Sequence, residues 1–424
     1  MRAAFRIPIL FLCVGHLAFA ADWPQWRGPE WDCTSAEVPA KMPAKKVLWR
    51  RPMAGKCSAG IAVGGGFVIV PDHGDGKDHV RCYGAEKGEP AWTHSWENAI
   101  EMEYTSAPRA TPLVHEGMVY ALGAAGHLWC LALDTGKVVW QMNLAEQFKA
   151  EVPQYGYCAS PIIVDGKLIV NPGGKDASVV ALDPKTGKVI WQTPGAPAAY
   201  ASFIVSAFGG VRQIVGYDSE SMGGWDPASG KRLWRLVPPT GGDFNVGTPV
   251  DVAGKLLVCT ENNYARLYAF NDGGAIIEKP IAENGDLDMD MGTPTVVDGL
   301  AFGTGIGLVC MDALDGLKTL WASDDAASPQ GLSHIIAGNG HALICCEDGT
   351  MHLLAIDRGQ PKILGSLSQE THVLEVAFQR LLARGGMPAL VIVLLDPLLE
   401  SRIELGQADR LRKKGKELHA HGSP

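Results

Sequence analysis

The stretch CLALDTGKVVW, residues 130–140, decides the fold. An apolar run leads into Asp134-Thr135-Gly136, where the glycine supplies the positive φ of a tight turn, and a second apolar run ends on Trp140. The phrase returns as VVALDPKTGKVIW at 179–191 and as GWDPASGKRLW at 224–234. Tryptophans close the good copies at Trp49, Trp92, Trp140, Trp191, Trp234 and Trp321; worn copies at 267–280 and 353–363 lack the ring. The 272 residues from Trp49 to Trp321 make six steps of about 45. A unit of that length holds four short strands, which is one blade of a β-propeller.

The rest of each unit agrees. Upstream of the phrase lies a second hairpin with its own turn, as in LVHEGMVYAL at 113–122, IIVDGKLIV at 162–170, VDVAGKLLV at 250–258 and TVVDGLAFG at 295–303. A lone blade would leave both sheet faces in water, so blades must stack. The closing tryptophan buries a large ring against the next blade, which makes it a docking residue and not a cofactor site. Seven units end near 92, 140, 191, 234, 280, 321 and 363. Trp49, in KVLWRRP, has no inner strands before it; it is expected to close an eighth blade built with hairpin-like strands from 378–396, since pairing the chain ends removes exposed sheet edges. The expected fold is therefore an all-β, eight-bladed propeller of four-stranded blades closed by an N-terminal strand, with seven blades as the alternative. The expected division is a leader at 1–20, an N-terminal extension at 21–45, the propeller at 46–396 and a polar basic tail at 397–424.

Composition narrows the class. The chain has 37 basic and 46 acidic residues and a net charge of −9, which gives no reason to expect nucleic acid. Charged residues are only 20% of the chain and glycines number 51, as suits a turn-rich β protein. The basic opening MRAAFR, the apolar run IPILFLCVGHLAF and Ala18-Phe19-Ala20 have the layout of a secretory leader cleaved before Ala21. Leu12 before Cys13 is too large for a lipid-modified cysteine, and no run is long enough to span a bilayer. The expected location is periplasmic or extracellular, soluble and without a lipid anchor. Of ten cysteines, nine would remain after cleavage. Cys82 and Cys130 fill the same place in two copies and read as small core residues. No CxxCH is present for covalent haem.

The pattern Ala-x-Asp-x-x-Thr-Gly-x-x-x-Trp in ALDPKTGKVIW resembles the tryptophan-docking repeat of pyrroloquinoline-quinone (PQQ) propellers. DWPQWRGP at 22–29 is similar to the opening of a group of exported bacterial PQQ-like propeller proteins. The resemblance covers roughly residues 22–365 and implies an eight-bladed propeller. It does not by itself imply a cofactor, because the motif is shared by quinoprotein dehydrogenases and by the cofactor-free outer-membrane-protein assembly propeller. The dehydrogenases of that family hold PQQ over adjacent disulfide-bonded cysteines, with calcium and an aspartate base. Cys345-Cys346 are adjacent here, but they stand in an apolar strand-like run, where successive side chains face opposite ways. DLDMDMG at 286–292 places Asp286, Asp288 and Asp290 at alternate positions; its glycine comes one place late for a calcium loop, and Val297 stands where the closing glutamate belongs. No cofactor is expected, with PQQ and calcium as the alternative.

In a propeller the loops from an outer strand to the next inner strand gather around one end of the channel, the default place for a ligand. Here they span 97–110, 146–160, 194–202, 238–247, 282–292 and 323–334. Arg109, Tyr155, Tyr157, Tyr200, Asn245, Asp290 and His334 are the candidate residues at this channel mouth, since aromatic and arginine side chains are favoured contact anchors. No nucleophile–base arrangement, GxSxG, HExxH, Walker motif or dinucleotide fingerprint appears. The expected function is that of an exported, non-catalytic binding or scaffold propeller in cell-envelope assembly. Its partner is expected to be a protein or small ligand at the channel mouth, with a PQQ-dependent alcohol or sugar dehydrogenase as the alternative.

Overall fold

A computed structural model of the chain describes residues 22–367, apart from 43–48, 56, 104, 288, 290, 291, 306, 324–328, 330–332, 347 and 348. Among the described residues there are seven four-stranded antiparallel sheets, each strand pairing with its sequence neighbour. They cover 62–97, 113–143, 162–193, 204–236, 250–284, 295–323 and 333–367. The only helix among these residues is a single turn, Leu144–Phe148, and none is long and apolar enough to cross a membrane. This is the all-β propeller that the repeat implies. The strands expected at 378–396 lie outside the described residues, as does the tail.

Each blade forms for reasons that sit within its own sequence. The hairpin between first and second strands turns on two residues of positive φ, such as Glu116-Gly117, Asp165-Gly166, Ala253-Gly254 and Asp298-Gly299. That geometry matches strand twist and favours glycine in the second place. The turn between third and fourth strands is held by its aspartate: Asp183 Oδ1 accepts from the Lys185 and Thr186 amides and from Thr186 Oγ1. Asp226 does the same for Ser229. The fifth blade, built on a worn copy, reaches its outer strand at Ala282–Asn284, just beyond the expected Lys279.

The tryptophans tie blade to blade. Trp92, Trp140 and Trp191 donate from Nε1 to the carbonyls of Leu133, Pro184 and Pro227 in the following blade, at 2.8, 2.8 and 3.1 Å. Each acceptor lies three residues before the turn glycine of that blade, and the ring covers that glycine. A Cβ on Gly136 would sit 2.6 Å from the Trp92 ring, and one on Gly187 would sit 3.0 Å from Trp140. Trp49 makes the same contact with the first sheet, donating to Ala85 O at 2.9 Å with its ring against Gly88. It therefore stands where the docking tryptophan of a preceding blade belongs. Trp234 reaches the worn fifth blade through a relay: its Nε1 donates to Gln213 Oε1 at 2.5 Å, and Gln213 Nε2 donates to Gly274 O at 2.9 Å. Trp321 is buried against Phe302, its indole nitrogen without a hydrogen-bond partner among the described residues.

Opposite the docking tryptophans the third strand carries small residues. Cys82, Cys130, Ala181, Gly224 and Cys310 pair with Trp92, Trp140, Trp191, Trp234 and Trp321, and the register shifts immediately after each. The indole needs the room, so these cysteines are packing residues. Burial pushes the thiols of Cys82 and Cys310 up to about 12 and that of Cys130 to about 11.

Residues 22–36 lie inside the ring of inner strands. Trp23 pairs antiparallel with Val63 on the free edge of the first sheet, and Thr34 pairs parallel with Ala337 on that of the seventh. Asp22 accepts from Gly65 N, and Asn339 Nδ2 donates to Ala36 O, so both ends sit beside the turns that leave the inner strands. Between them the chain reaches the opposite side. There Trp26 Nε1 donates to Thr248 Oγ1 at 3.2 Å, and Arg27 donates to Trp31 O, Asp32 O and Pro294 O at 2.9–3.1 Å. The segment is a hairpin plug entering from one face. Arg27, Trp31 and Cys33 adopt positive φ to make its tight return. Such a conformation costs of order 1–3 kcal/mol and persists only where packing imposes it; Arg27 and Cys33 are each 1% exposed.

Candidate functional site

The plug occupies the channel from the face of the tight turns. Its tip, Trp26 and Arg27, reaches the other face, where outer strands pass to the next inner strands and the connecting loops surround it. Three successive loops place one aromatic ring each in a single cluster there. Tyr155, Tyr200 and Phe244 come from the loops entering the third, fourth and fifth blades, with centroids 5.6 Å (Tyr155–Tyr200), 5.5 Å (Tyr155–Phe244) and 6.3 Å (Tyr200–Phe244) apart. The Tyr200 hydroxyl accepts from Tyr155 N at 3.4 Å, which ties two of these loops together. Phe244 is 46% exposed, unusual for a phenylalanine, because its backbone is held outward: its amide donates to Glu261 Oε1 at 2.6 Å, and Asp243 accepts from the Asn262 amide at 2.7 Å.

Arg109, from the loop entering the second blade, borders this cluster. Its Nη2 donates to Glu103 O at 2.5 Å and to Thr105 O at 2.8 Å, so part of the guanidinium is spent on shaping its own loop. Cys158 lies beside it; burial pushes its thiol up to about 12, with Arg109 pulling the other way. Burial likewise raises the Tyr200 phenol above its ordinary value. None of these shifts produces a nucleophile or base near neutral pH.

The other candidates are placed differently. Tyr157 is 2% exposed, and its hydroxyl donates to Pro172 O at 2.9 Å; it props a loop and does not reach the surface. Asn245 is 1% exposed with φ of 55°, so it is a turn residue whose Nδ2 donates to Asp218 O at 3.4 Å. His334 faces the plug, with its Nε2 3.7 Å from Cys33 Sγ and its ring 5.4 Å from Trp26. Burial, with Arg27 nearby, pulls its imidazole down to about 4. Asp290 lies outside the described residues. Phe244, adjacent to a named candidate, was missed; exposed aromatics in consecutive connections were the available signal.

Charge is distributed unevenly over the molecule. Among the described residues 33 are acidic and 24 basic; the six connections on the mouth side carry eight and two of them, which leaves 25 and 22 everywhere else. Six of the nine excess negative charges among the described residues therefore belong to these loops. Glu101, Glu103, Glu146 and Glu151 are exposed. Glu97 is paired with Lys77 at 2.9 Å, and Lys149 and Lys175 are exposed bases on the same side.

The residues do not fit a quinone held as the dehydrogenases hold it. Cys345 belongs to the core that joins the first and seventh sheets, whereas Cys346 belongs to the core between the sixth and seventh, so adjacent sulfurs face opposite ways. Asp286 accepts from Thr319 Oγ1 at 2.6 Å, and Asp288 and Asp290 are outside the described residues. Among the described residues no group of three or more His, Cys, Asp or Glu is arranged to hold a metal ion.

A family model described as outer membrane protein assembly factor BamB matches residues 38–216, 76–304 and 218–373. The chain belongs to this family. It is 29% identical over 210 residues to BamB of Burkholderia pseudomallei, covering 46% of this chain and 48% of that one. It is 28% identical over 163 residues to the 1-butanol dehydrogenase (quinone) of Thauera butanivorans, covering 34% of this chain and 25% of that one. The chain thus spans less than half the length of these curated relatives. The crystal structure of quinohemoprotein alcohol dehydrogenase from Comamonas testosteroni superposes with a TM-score of 0.62 at 14% identity, over 84% of this chain and 75% of that one, a likeness of fold.

Proposed function

We propose that this BamB-family propeller is an exported, non-catalytic binding module that docks a partner on the loops around the channel mouth, in the service of envelope assembly. The aromatic cluster contributed by consecutive loops carries this reading. Aromatic side chains held in the open by backbone contacts lose little on binding and supply large contact area. The assembly role comes from the name of the BamB relatives. A photo-reactive side chain placed at Phe244 should capture a discrete envelope protein, whereas one placed at the rim residue Val139 should not. Equal capture from both positions would remove the mouth as the docking site.

The quinone-dehydrogenase relatives supply a second reading, a PQQ-dependent alcohol or sugar oxidoreductase. It is tested by adding PQQ and calcium to the protein and recording its absorption. Stoichiometric bound quinone with dye-linked alcohol oxidation would replace the scaffold reading.

A further inference from the structure

We propose that the partner segment docking at the mouth is basic, and that it seats a lysine or arginine side chain against Tyr155, Tyr200 and Phe244. The inference rests on the docking reading above and adds the chemistry of the occupant. Its first support is that six of the nine excess negative charges among the described residues lie in the connections around this mouth, while the other described residues are close to balanced, 25 acidic to 22 basic. Clefts of one sign steer and concentrate the opposite charge. The second support is independent of the first. A cation within about 6 Å of a ring centroid is attracted by the ring face. With centroids 5.5–6.3 Å apart, a charge about 4 Å above the cluster lies roughly 5 Å from all three; the rings are inclined at 57–77° to one another, so it meets the face of some and the edge of others. Phe244 is open to solvent and Tyr155 and Tyr200 are half-buried, so the cluster can be reached from outside. Arg109, which borders the cluster, turns its Nη2 to its own loop carbonyls. The plug's tip occupies the channel at this face, which suits a side chain seated on the loops better than a threaded chain.

The test is fluorescence anisotropy on the full-length protein with short labelled peptides of equal length: lysine/arginine-rich, neutral and acidic. The basic peptide should bind, and the other two should not. Binding should weaken as salt approaches about 1 M, where the Debye length falls to roughly 3 Å. Phe244→Ala should weaken it by about two- to thirty-fold, while Tyr200→Phe, which keeps the ring, should bind like the native protein. Glu101→Gln with Glu103→Gln and Glu151→Gln should flatten the salt dependence. Equal binding of the neutral or acidic peptide overturns the inference while leaving the mouth as a docking site. Failure of every peptide together with absent capture at Phe244 removes both. A variant with Arg410, Arg412, Lys413, Lys414 and Lys416 changed to Gln that binds where the native chain does not would assign the aromatic cluster to the chain's own tail, and the proposal would fall.

Discussion

Removing the ring at Trp191 tests the clasp between the third and fourth blades. Trp191 is 8% exposed, donates to Pro227 O at 3.1 Å and covers Gly230, whose carbonyl also accepts from Thr193 Oγ1. Trp191→Ala should therefore cost about 3–5 kcal/mol, the usual range for deleting a buried large ring. At about 2 °C per kcal/mol for a domain of this size, thermal unfolding followed by circular dichroism should fall by roughly 6–10 °C. Gly230→Ala is a second way to break the same contact. Its φ is +72° and its new Cβ would overlap the Trp191 ring, so backbone strain of about 1 kcal/mol adds to an overpacking cost of about 1–3 kcal/mol. In the double variant the ring is gone and only the backbone strain survives. The two changes should thus be less than additive by about 1–3 kcal/mol, as expected for residues in direct contact. An unmoved melting temperature for Trp191→Ala, or strict additivity in the cycle, would refute the clasp.

The plug makes stability sensitive to acid: His334 is held down to about 4, so the unfolded chain takes up the proton first as pH falls below about 6.5. Melts should show stability intact near pH 7 and declining between about 6.5 and 4, by no more than about 3 kcal/mol, and His334→Gln should reduce that slope. Arg27→Ala removes three hydrogen bonds to carbonyls and should destabilise by about 2–4 kcal/mol, with faster trypsin cleavage at Lys41; Arg27→Lys should rescue little, because one ammonium cannot span them. The thiols of Cys82, Cys130 and Cys310, raised to about 11–12 by burial, should resist a thiol reagent at pH 8 until denaturant is added. Rapid native labelling of these three would contradict their place opposite the tryptophans.

The blades were legible because every determinant is local. Asp-x-x-Gly turns, paired hairpin residues of positive φ, and the tryptophan with its small partner all fall within one unit of about 45 residues and recur. The relay through Gln213 could not be anticipated, since it repairs a worn copy with a side chain from a different strand. The site was legible only by topology. Knowing that the loops converge brings Arg109, Tyr155 and Tyr200 to one end, but it does not say which side chain of a loop faces out. Tyr157 and Tyr155 differ by two positions and Asn245 and Phe244 by one, yet Tyr157 and Asn245 are buried while Tyr155 is half-buried and Phe244 exposed. The plug was invisible for a further reason. Its contacts, Trp26 to Thr248 and Cys33 to His334, join residues more than 200 apart and follow no period.

Those long-range contacts also bear on function. A propeller open at both ends presents two candidate faces, and the repeat treats them alike. Here the hairpin of 22–36 enters the channel from one side, and most of the excess negative charge of the described residues lies around the other. A quinone cofactor of this family carries several carboxylates, so an acidic mouth opposes its entry unless bound cations reverse the field. A basic protein segment meets no such barrier and gains from the same field. The two readings of this family therefore diverge on one physical quantity. Raising salt should weaken a basic occupant by screening, whereas it should ease the approach of an anionic one. The sign of that dependence at the mouth distinguishes scaffold from quinoprotein without knowledge of the partner.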